Sequence, residues 1–321
     1  MLYIIGTGLN DYKDISLRTL EVLLTCDEIY YECYTCIQNK EFNEIEKYIN
    51  NILNNNTSNN TNKCNFKLAN RQLVEDECEI VQIAKNKRVA FLVAGTPFFA
   101  TTHVDLLLRA KEEGVEYKVI HNVSISNVMG CYGLYSYNFG RTVSICLYEN
   151  ENINEYIENN ICNSNLNNNI NNNIYNNNIN NNIYNSNLNN SNITNNICNS
   201  NLNINTDNLP LSFYDNIYNN YINNLHTLCL LDIKTDREYF MDANRAIAQI
   251  LLAEEVRQYG MVDYDTKLLV VCRFATDTER TYYDSVRNLL RKEYGKPLHS
   301  LIILGKGTSV IEKEFIEKIF E

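Results

Sequence analysis

Short turns with glycine follow several apolar runs of this sequence, and turns of this kind could hold a ligand. Residues 6–9 read Gly-Thr-Gly-Leu after one run, and residues 95–99 read Gly-Thr-Pro-Phe-Phe after another. Glycine lets the backbone approach a bound molecule closely, and ligands of open α/β sheets lie beyond the carboxyl ends of the strands. Three more candidate strand ends lie at residues 121–125, 230–232 and 272–275. Together the five loops predict a ligand pocket.

The connection after Val93 is longer than a tight turn needs, and it carries two phenylalanines where solvent would normally lie. Large rings on a loop beyond a strand favour the wall of a pocket. The simpler alternative is a hydrophobic plug beneath a second domain. From the loop alone, both interpretations stay open.

The motifs disfavour two other kinds of site. The Gly-x-Gly at residues 6–8 lacks the third glycine of a dinucleotide-binding fingerprint, and Asp11 and Asp14 would repel a diphosphate there. Cys33 and Cys36 form a lone Cys-x-x-Cys. A zinc site needs four ligands, and no second cysteine or histidine pair has metal spacing. We therefore expect no metal, and a redox role for the cysteine pair is the less favoured interpretation.

The loops need a parallel sheet to bring them together, and the first part of the chain has the pattern of one. Short apolar runs alternate with amphipathic segments, which is typical of βαβ units and an α/β fold. The predicted strands are LYII, EIYYE, VAFLVA and YKVI, and two predicted helices begin at Ser16 and Thr102.

The second part of the chain predicts another α/β domain. Its candidate strands are RTVSICLY, TLCLLDI, KLLVVCRF and SLIILG, and its candidate helices are FYDNIYNNYINN, DANRAIAQILLAEEVRQY and VIEKEFIEKIF. The first of these strands follows a loop-rich stretch and could pair antiparallel. We predict an N-terminal α/β domain of residues 1–120 and a C-terminal α/β domain of residues 121–321. We expect a ligand cleft between the two domains.

Asparagine makes up about half of residues 150–209. Its side chain competes with helix formation, and the apolar content is too low to offset the entropy of ordering. The segment is therefore predicted to be a disordered insertion in the second domain. A smaller asparagine-rich patch interrupts residues 51–65. Codon bias in an AT-rich genome explains both segments, and recruitment of partners by a polar tract is the less favoured alternative.

Composition excludes several classes of function. The 321 residues carry a net charge of −11, and a nucleic-acid groove needs a basic surface instead. No apolar run reaches the ~18 residues of a membrane span, and the N-terminus lacks the basic region of a signal peptide. We therefore expect a cytoplasmic protein with no membrane partner and no direct nucleic-acid contact. Its eleven scattered cysteines are predicted to be reduced thiols.

Five blocks of the sequence, in order, resemble the diphthine synthases, a family also called the diphthine methyl ester synthases. The blocks begin at residues 1, 89, 119, 226 and 297, and the resemblance covers nearly the whole chain outside the two asparagine-rich segments. It implies two α/β domains of the tetrapyrrole-methylase type. It also implies S-adenosylmethionine folded into the interdomain cleft, and a homodimer.

The resemblance further implies an activity. Diphthine synthases methylate the 3-amino-3-carboxypropyl-histidine of elongation factor 2 on its amino nitrogen, and the eukaryotic members also methylate the carboxylate. The asparagine-rich inserts are of a eukaryotic kind, so we expect the ester-forming version. One alternative is a catalytically degenerate binding protein on the same fold. A corrin or porphyrin methylase of this fold is disfavoured by the family's specific blocks.

Eight residues are the predicted cofactor contacts. The resemblance carries six of them onto matching positions, namely Leu9, Ser124, Ile125, Leu231, Phe274 and His299. The other two depart from the family, which usually reads Gly-Asp-Pro-Phe-Gly where this chain has Thr96 and Phe99. We name no catalytic base. His103 and His121 lie on strand-end loops, and a helix-start or turn hydrogen bond is the favoured role of each.

Overall fold

The computed structural model describes residues 1–35, 39–56, 64–77, 79–150, 153 and 208–320. These residues form two compact units, each with its own five-stranded sheet. The first unit comprises Met1–Tyr137, Ile233–Phe240 and Cys272–Arg280, and the second comprises the described parts of Asn138–Asp232, Met241–Val271 and Thr281–Glu321. The first unit thus continues past residue 120 and includes two later segments. Such a return of the chain depends on tertiary contacts and has no local sequence pattern.

The sheet of the first unit is entirely parallel. Its strands are β1 (Leu2–Gly6), β2 (Glu28–Glu32), β3 (Asn65–Ala69), β4 (Val89–Val93) and β5 (Tyr117–Ile120). They lie in the order β3-β2-β4-β1-β5, and every neighbouring pair is parallel. The predicted α/β fold with a parallel sheet is confirmed.

Burial explains which of these strands the sequence revealed. Every residue of β1, β2 and β4 is buried, as expected of parallel strands covered on both faces. Within β1, Ile4 packs into the core on one face of the sheet and Ile5 into the core on the other. β3 is an edge strand with mostly exposed or half-buried residues. Its short sequence lacks the apolar run of a buried strand and was not predicted.

The helices of the first unit are α1 (Leu17–Leu23), α2 (Asn39–Asn56), α3 (Arg71–Glu75), α4 (Glu79–Ala84) and α5 (Val104–Glu112). The helix predicted from Ser16 begins one residue later, because the Ser16 hydroxyl caps it by accepting a hydrogen bond from the Thr19 amide at 3.1 Å. A small hairpin, β8 (Ile233–Lys234) and β9 (Tyr239–Phe240), completes the unit.

The asparagine-rich patch at residues 51–65 was predicted to interrupt the first domain as an insertion. This prediction was wrong for residues 51–56. Residues 51–56 are the last residues of α2. Ile45 and Ile49 lie one helical turn apart and are 1% and 0% exposed, so apolar burial outweighs the poor helix propensity of asparagine. The predicted insertion at 150–209 lies outside the described residues except near its two ends, and Cys36 also lies outside them.

The second unit has a mixed sheet. Its strands are β6 (Val143–Ile145), β7 (Thr227–Leu231), β10 (Lys267–Cys272), β11 (Arg280–Ser285) and β12 (His299–Ile303). They lie in the order β11-β10-β12-β7-β6, with β12 antiparallel to β7. β11 is a half-buried edge strand without an apolar run, and it was not predicted from the sequence.

The idea that β6 could pair antiparallel is wrong, because β6 pairs parallel with β7. The connection between the two strands contains the helix α6 (Ser212–Ile222). A strand, a crossover helix and a returning strand form a βαβ unit, in which the two strands run in the same direction.

The remaining helices of the second unit are α7 (Ala243–Arg257), α8 (Val286–Leu289) and α9 (Val310–Phe320). Asp242 caps α7 by accepting a hydrogen bond from the Arg245 amide at 2.7 Å. Among the described residues of the chain, no helix is long and apolar enough to cross a membrane.

Candidate functional site

Three neighbouring strands of the first unit end at the same edge of the sheet. The register pairs Gly6 of β1 with Val93 of β4, and Ile5 of β1 with Ile120 of β5. The loops after β1 and β4 then pair with each other. The Gly8 amide donates to the Gly95 carbonyl at 3.3 Å, and the Gly95 amide donates to the Gly8 carbonyl at 2.7 Å. Two of the five strand-end loops predicted to form a pocket, those after β1 and β4, therefore meet.

Gly95 lies at the centre of this meeting point. Its φ is +70°, which is a left-handed conformation that favours glycine. A side chain built on it would place its Cβ 3.3 Å from Cβ of Ser124 and 3.6 Å from Cδ2 of Leu9. The structure thus brings together three of the five predicted loops, which carry Leu9, Thr96 and Ser124.

Ser124 and Ile125 begin the short 3₁₀ helix Ile125–Gly130. Ser124 is buried, and its hydroxyl lies 2.7 Å from the hydroxyl of Ser126. Its backbone amide donates to the Asn127 side chain at 3.0 Å. The Ser124 side chain therefore holds the loop in shape, and Ile125 is left half-buried at the edge.

Thr96 and His121 form a pair across the loops after β4 and β5. Oγ1 of Thr96 lies 3.1 Å from Nδ1 of His121. His121 is exposed, and its ring is edge-on to Phe98 with the ring centres 6.3 Å apart. The role of His121 is therefore a hydrogen bond between loops. Phe98 packs against the core of the unit, and Phe99 is half-buried on the same loop.

Asp14 shows why the Gly-x-Gly loop is not a phosphate site. Its Oδ2 accepts hydrogen bonds from the amide of Leu9 at 3.0 Å and the amide of Asn10 at 2.8 Å. These are the backbone donors that a phosphate group would need. The chain's own carboxylate occupies them and orients Leu9.

Asn122 is a site residue that the sequence analysis missed. Its Nδ2 donates to the Gly6 carbonyl at 3.2 Å and to the Asp14 carbonyl at 2.9 Å. It thus ties the loop after β5 to the loop after β1. The only sequence signal was its place next to His121 in a polar strand end, which does not indicate a partner more than a hundred residues away.

His103 lies at the start of α5 but does not cap it. Its Nδ1 lies 3.1 Å from the carbonyl oxygen of Pro97, which makes it a turn hydrogen bond within the loop after β4. Burial lowers the pKa of His103, although the Pro97 carbonyl and Glu75 oppose that effect. The ring is 1% exposed, so it cannot meet a substrate as a base.

Phe274 lies on the segment Cys272–Arg280, which belongs to the first unit. The Asp277 amide donates to the Asn10 side chain at 3.2 Å, so this segment contacts the loop that carries Leu9. Glu279 accepts hydrogen bonds from Tyr132 Oη at 2.5 Å and from the Ala275 amide at 2.7 Å. The contacts of Asp277 and Glu279 attach the segment to the unit after Phe274, which is half-buried.

Leu231 and His299 lie in the second unit. Leu231 is the last residue of β7 and His299 the first of β12. Because Ser300 pairs with Leu230 in this antiparallel ladder, the two residues lie opposite each other. Both are buried. Nε2 of His299 lies 3.0 Å from the Lys296 carbonyl oxygen.

Cys33 is the described member of the Cys-x-x-Cys pair. Sγ of Cys33 donates to the Ala69 carbonyl at 3.3 Å, and burial raises the pKa of the Cys33 thiol. Among the residues that the structure describes, no group of three or more His, Cys, Asp or Glu side chains could hold a metal ion.

Comparison with known proteins places this site in a family. Residues 1–164 match the Tetrapyrrole (Corrin/Porphyrin) Methylases. A diphthine methyl ester synthase of Dictyostelium discoideum is 30% identical over 335 residues, which cover 99% of this chain and 97% of the relative. The chain belongs to the diphthine synthase family. A diphthine synthase of Methanococcus vannielii is 31% identical over 323 residues, with 100% of this chain and 99% of the relative covered.

A solved structure supports the same assignment of the diphthine synthase fold. A candidate diphthine synthase from Entamoeba histolytica is 30% identical, with a TM-score of 0.71, and the match covers 100% of this chain and 98% of that chain. The predicted family and its tetrapyrrole-methylase-like fold are therefore confirmed. As a member of a methylase family, the chain is a methyltransferase.

Proposed function

We propose that this methyltransferase acts in diphthamide biosynthesis, with S-adenosylmethionine as methyl donor and elongation factor 2 as protein substrate. The single observation that carries the proposal is the sheet edge where Gly95 packs between Leu9 and Ser124. This edge lies in a chain whose relatives are named diphthine synthase and diphthine methyl ester synthase. The methylated group is the 3-amino-3-carboxypropyl-histidine of the substrate.

The residues at this edge fit S-adenosylmethionine. Gly95 is buried, and a Cβ on it would lie 3.3 Å from Cβ of Ser124 and 3.6 Å from Cδ2 of Leu9, so the glycine lets the loops of this edge pack closely. Leu9, Ile125 and Phe274 are half-buried apolar side chains, which suit the adenine ring and the thioether carbons. When bound, this cofactor supplies an electrophilic methyl group on a sulfonium.

Positioning and exclusion of water are the contributions expected of the protein. Methyl transfer from a sulfonium is an in-line displacement, so the rate depends on alignment of donor and acceptor. The acceptor amine must lose a proton first. His103 is buried, and Nδ1 of His121 is already 3.1 Å from Thr96. We therefore assign no residue of this chain as a base.

The finer points of the proposal come from the family resemblance. The resemblance names Thr96, Phe99, Leu231 and His299 as cofactor contacts, and these four stay predictions. We further propose a cytoplasmic homodimer. Methylation of the carboxylate as well as the amine follows the name of the Dictyostelium relative, whereas the Methanococcus relative is named for the diphthine product alone.

Mass spectrometry of elongation factor 2 tests this function. The substrate carries the 3-amino-3-carboxypropyl group and is incubated with the protein and S-adenosylmethionine. We expect methyl additions on the modified histidine, one of which is lost after mild alkali because it is an ester. If every added methyl group survives alkali, the protein methylates only the amino nitrogen and not the carboxylate. Cofactor binding without any methyl addition would favour a binding protein that has lost catalysis, the alternative that Thr96 and Phe99 raise.

A further inference from the structure

We propose that His103 is a positioning residue of the loop after β4, and that its hydrogen bond to Pro97 holds Gly95 and Thr96 in the shape that binds S-adenosylmethionine. The inference rests on the proposed function, because it names a residue that prepares the same site. His103 does not touch the cofactor. It acts through the backbone of the loop.

The Pro97 carbonyl is the point where His103 acts. This oxygen lies 3.1 Å from Nδ1 of His103 and accepts a hydrogen bond from Oγ1 of Thr101 at 2.6 Å. A carbonyl oxygen has two lone pairs and only accepts. Both of its acceptor positions are therefore used, and Nδ1 of His103 must carry a proton.

The other side of the ring is fixed by Tyr34. Nε2 of His103 lies 3.2 Å from the Tyr34 hydroxyl. Burial lowers the pKa of the ring, so the neutral form has its single proton on Nδ1 and Nε2 accepts from Tyr34. Phe91 and Tyr34 also meet the ring edge-on, with ring centres 5.1 Å and 5.9 Å away. The ring therefore has one orientation and one tautomer.

Tyr34 connects this arrangement to the end of β2. The amides of Tyr34 and Thr35 donate to the Glu32 carboxylate at 2.7 Å and 2.6 Å. Burial raises the pKa of the Tyr34 hydroxyl, so it remains a donor. His103 thus links the loop after β4 to a buried, hydrogen-bonded turn at the end of β2.

The connection after β4 is long because its chain returns to the Pro97 carbonyl. Pro97 is adjacent to Thr96, whose hydroxyl lies 3.1 Å from His121, and two residues from Gly95, which pairs with Gly8. A rotation of the Pro97 carbonyl would therefore displace both the Thr96–His121 contact and the Gly95–Gly8 pair. The residues from 98 to 103 fold back so that Thr101 and His103 reach this one carbonyl.

Calorimetry with S-adenosylmethionine on the full chain tests the inference. His103→Leu removes both ring nitrogens, and the loss of the hydrogen bond to Pro97 should raise the Kd about tenfold. His103→Asn can place an amide donor near the position of Nδ1 and should restore the Kd to within about threefold of wild type. The matched control is His226→Asn in the second unit, a buried histidine that also bonds to backbone. It should lower the melting temperature without a comparable change in Kd.

A second measurement does not depend on how well the variants fold. The chain has four histidines, so ¹⁵N-histidine labelling of the wild type resolves each ring by NMR. We expect the His103 ring to carry its proton on Nδ1. A proton on Nε2 instead would overturn the inference.

The outcomes separate the two proposals. If the wild type binds S-adenosylmethionine and His103→Leu binds it equally well, the positioning role is wrong and the proposed function stands. Equal losses in His103→Asn, His103→Leu and His226→Asn would reduce His103 to a stabilising residue, and the inference fails. If the wild type does not bind the cofactor at all, the proposed function fails, and the inference with it.

Discussion

His103 in the first unit and His226 in the second are both buried, at 1% and 0% exposure, but their nitrogens are used in opposite ways. Nδ1 of His103 faces a carbonyl oxygen and must donate. Nδ1 of His226 accepts from the Gly305 amide at 3.1 Å, and its Nε2 faces Oε1 of Glu312 at 3.1 Å. The backbone partner thus decides the tautomer of each ring.

The surroundings of the two rings also differ in charge. Glu312 is 0% exposed, and its carboxylate accepts from Nδ2 of Asn138 at 3.0 Å and the Ser309 hydroxyl at 2.8 Å as well as from Nε2 of His226. This network joins the start of α9 to the start of β7. The neighbours of His103 at hydrogen-bond distance are neutral groups, Pro97 and Tyr34. The comparison shows one histidine in a network that stabilises its unit and one that shapes a loop.

The largest effect is expected from Glu312→Ala, which breaks the charged network. It leaves the donors of the buried His226 and the half-buried Asn138 without their acceptor, so the free energy of unfolding should fall by about 3–5 kcal/mol. Urea denaturation followed by circular dichroism measures the loss. The matched control on the same helix is Glu317→Ala, whose side chain is 52% exposed and lies 3.5 Å from Lys267. This change should cost about 0.5 kcal/mol or less. Equal losses in the two variants would contradict the assigned role of the network.

A smaller effect on stability, but a specific one on binding, is expected from Gly95→Ala. The φ of +70° costs an alanine about 1–2 kcal/mol. Gly114, at the end of α5, has a φ of +68° and no atom within 4 Å of a built Cβ, so Gly114→Ala carries the same backbone penalty without crowding. Only the change at Gly95 should weaken S-adenosylmethionine binding, by about tenfold. Calorimetry on both variants decides this. A similar Kd for both variants would show that Gly95 is not part of the cofactor site.

The smallest effect is the pH dependence that His103 contributes. Burial lowers its pKa from 6.5 in the folded chain, with Tyr34 and Glu75 as the titratable groups beside it. The unfolded chain therefore takes up the proton first as the pH falls. The stability from this group is fully present above about pH 6.5 and is lost as the pH falls through the folded pKa, with a slope of at most about 1.4 kcal/mol per pH unit.

Urea denaturation between pH 7.5 and pH 5 measures this slope in wild type and in His103→Asn. The slope should be smaller in the variant, because asparagine does not titrate. Leu108→Asn, on the exposed face of α5, keeps the histidine and should retain the wild-type slope. Identical slopes in all three proteins would mean that His103 does not contribute.

Much of the fold was visible in the sequence because burial on both faces of a sheet leaves unbroken apolar runs. The strands β1, β2 and β4 are buried in this way and were predicted, and so was the long helix α7, which has nine buried residues. The edge strands β3 and β11 were missed, since neither has an apolar run, whereas the edge strand β5 ends in Val119 and Ile120 and was predicted. The parallel pairing of β6 was misjudged because it depends on the crossover through α6 and not on the strand itself.

By itself, the sequence determined the parallel α/β fold and the glycine-bearing strand ends, because both follow from local spacing and residue type. The sequence also contains the five blocks that resemble the diphthine synthases. Only the tertiary structure decided which groups meet at the sheet edge. Asp14 turns its carboxylate to the amides of Leu9 and Asn10, and Asn122 reaches Gly6 across the sheet. The segment with Phe274 joins the first unit. These contacts depend on strand register and on residues far apart in the chain, so no local pattern encodes them.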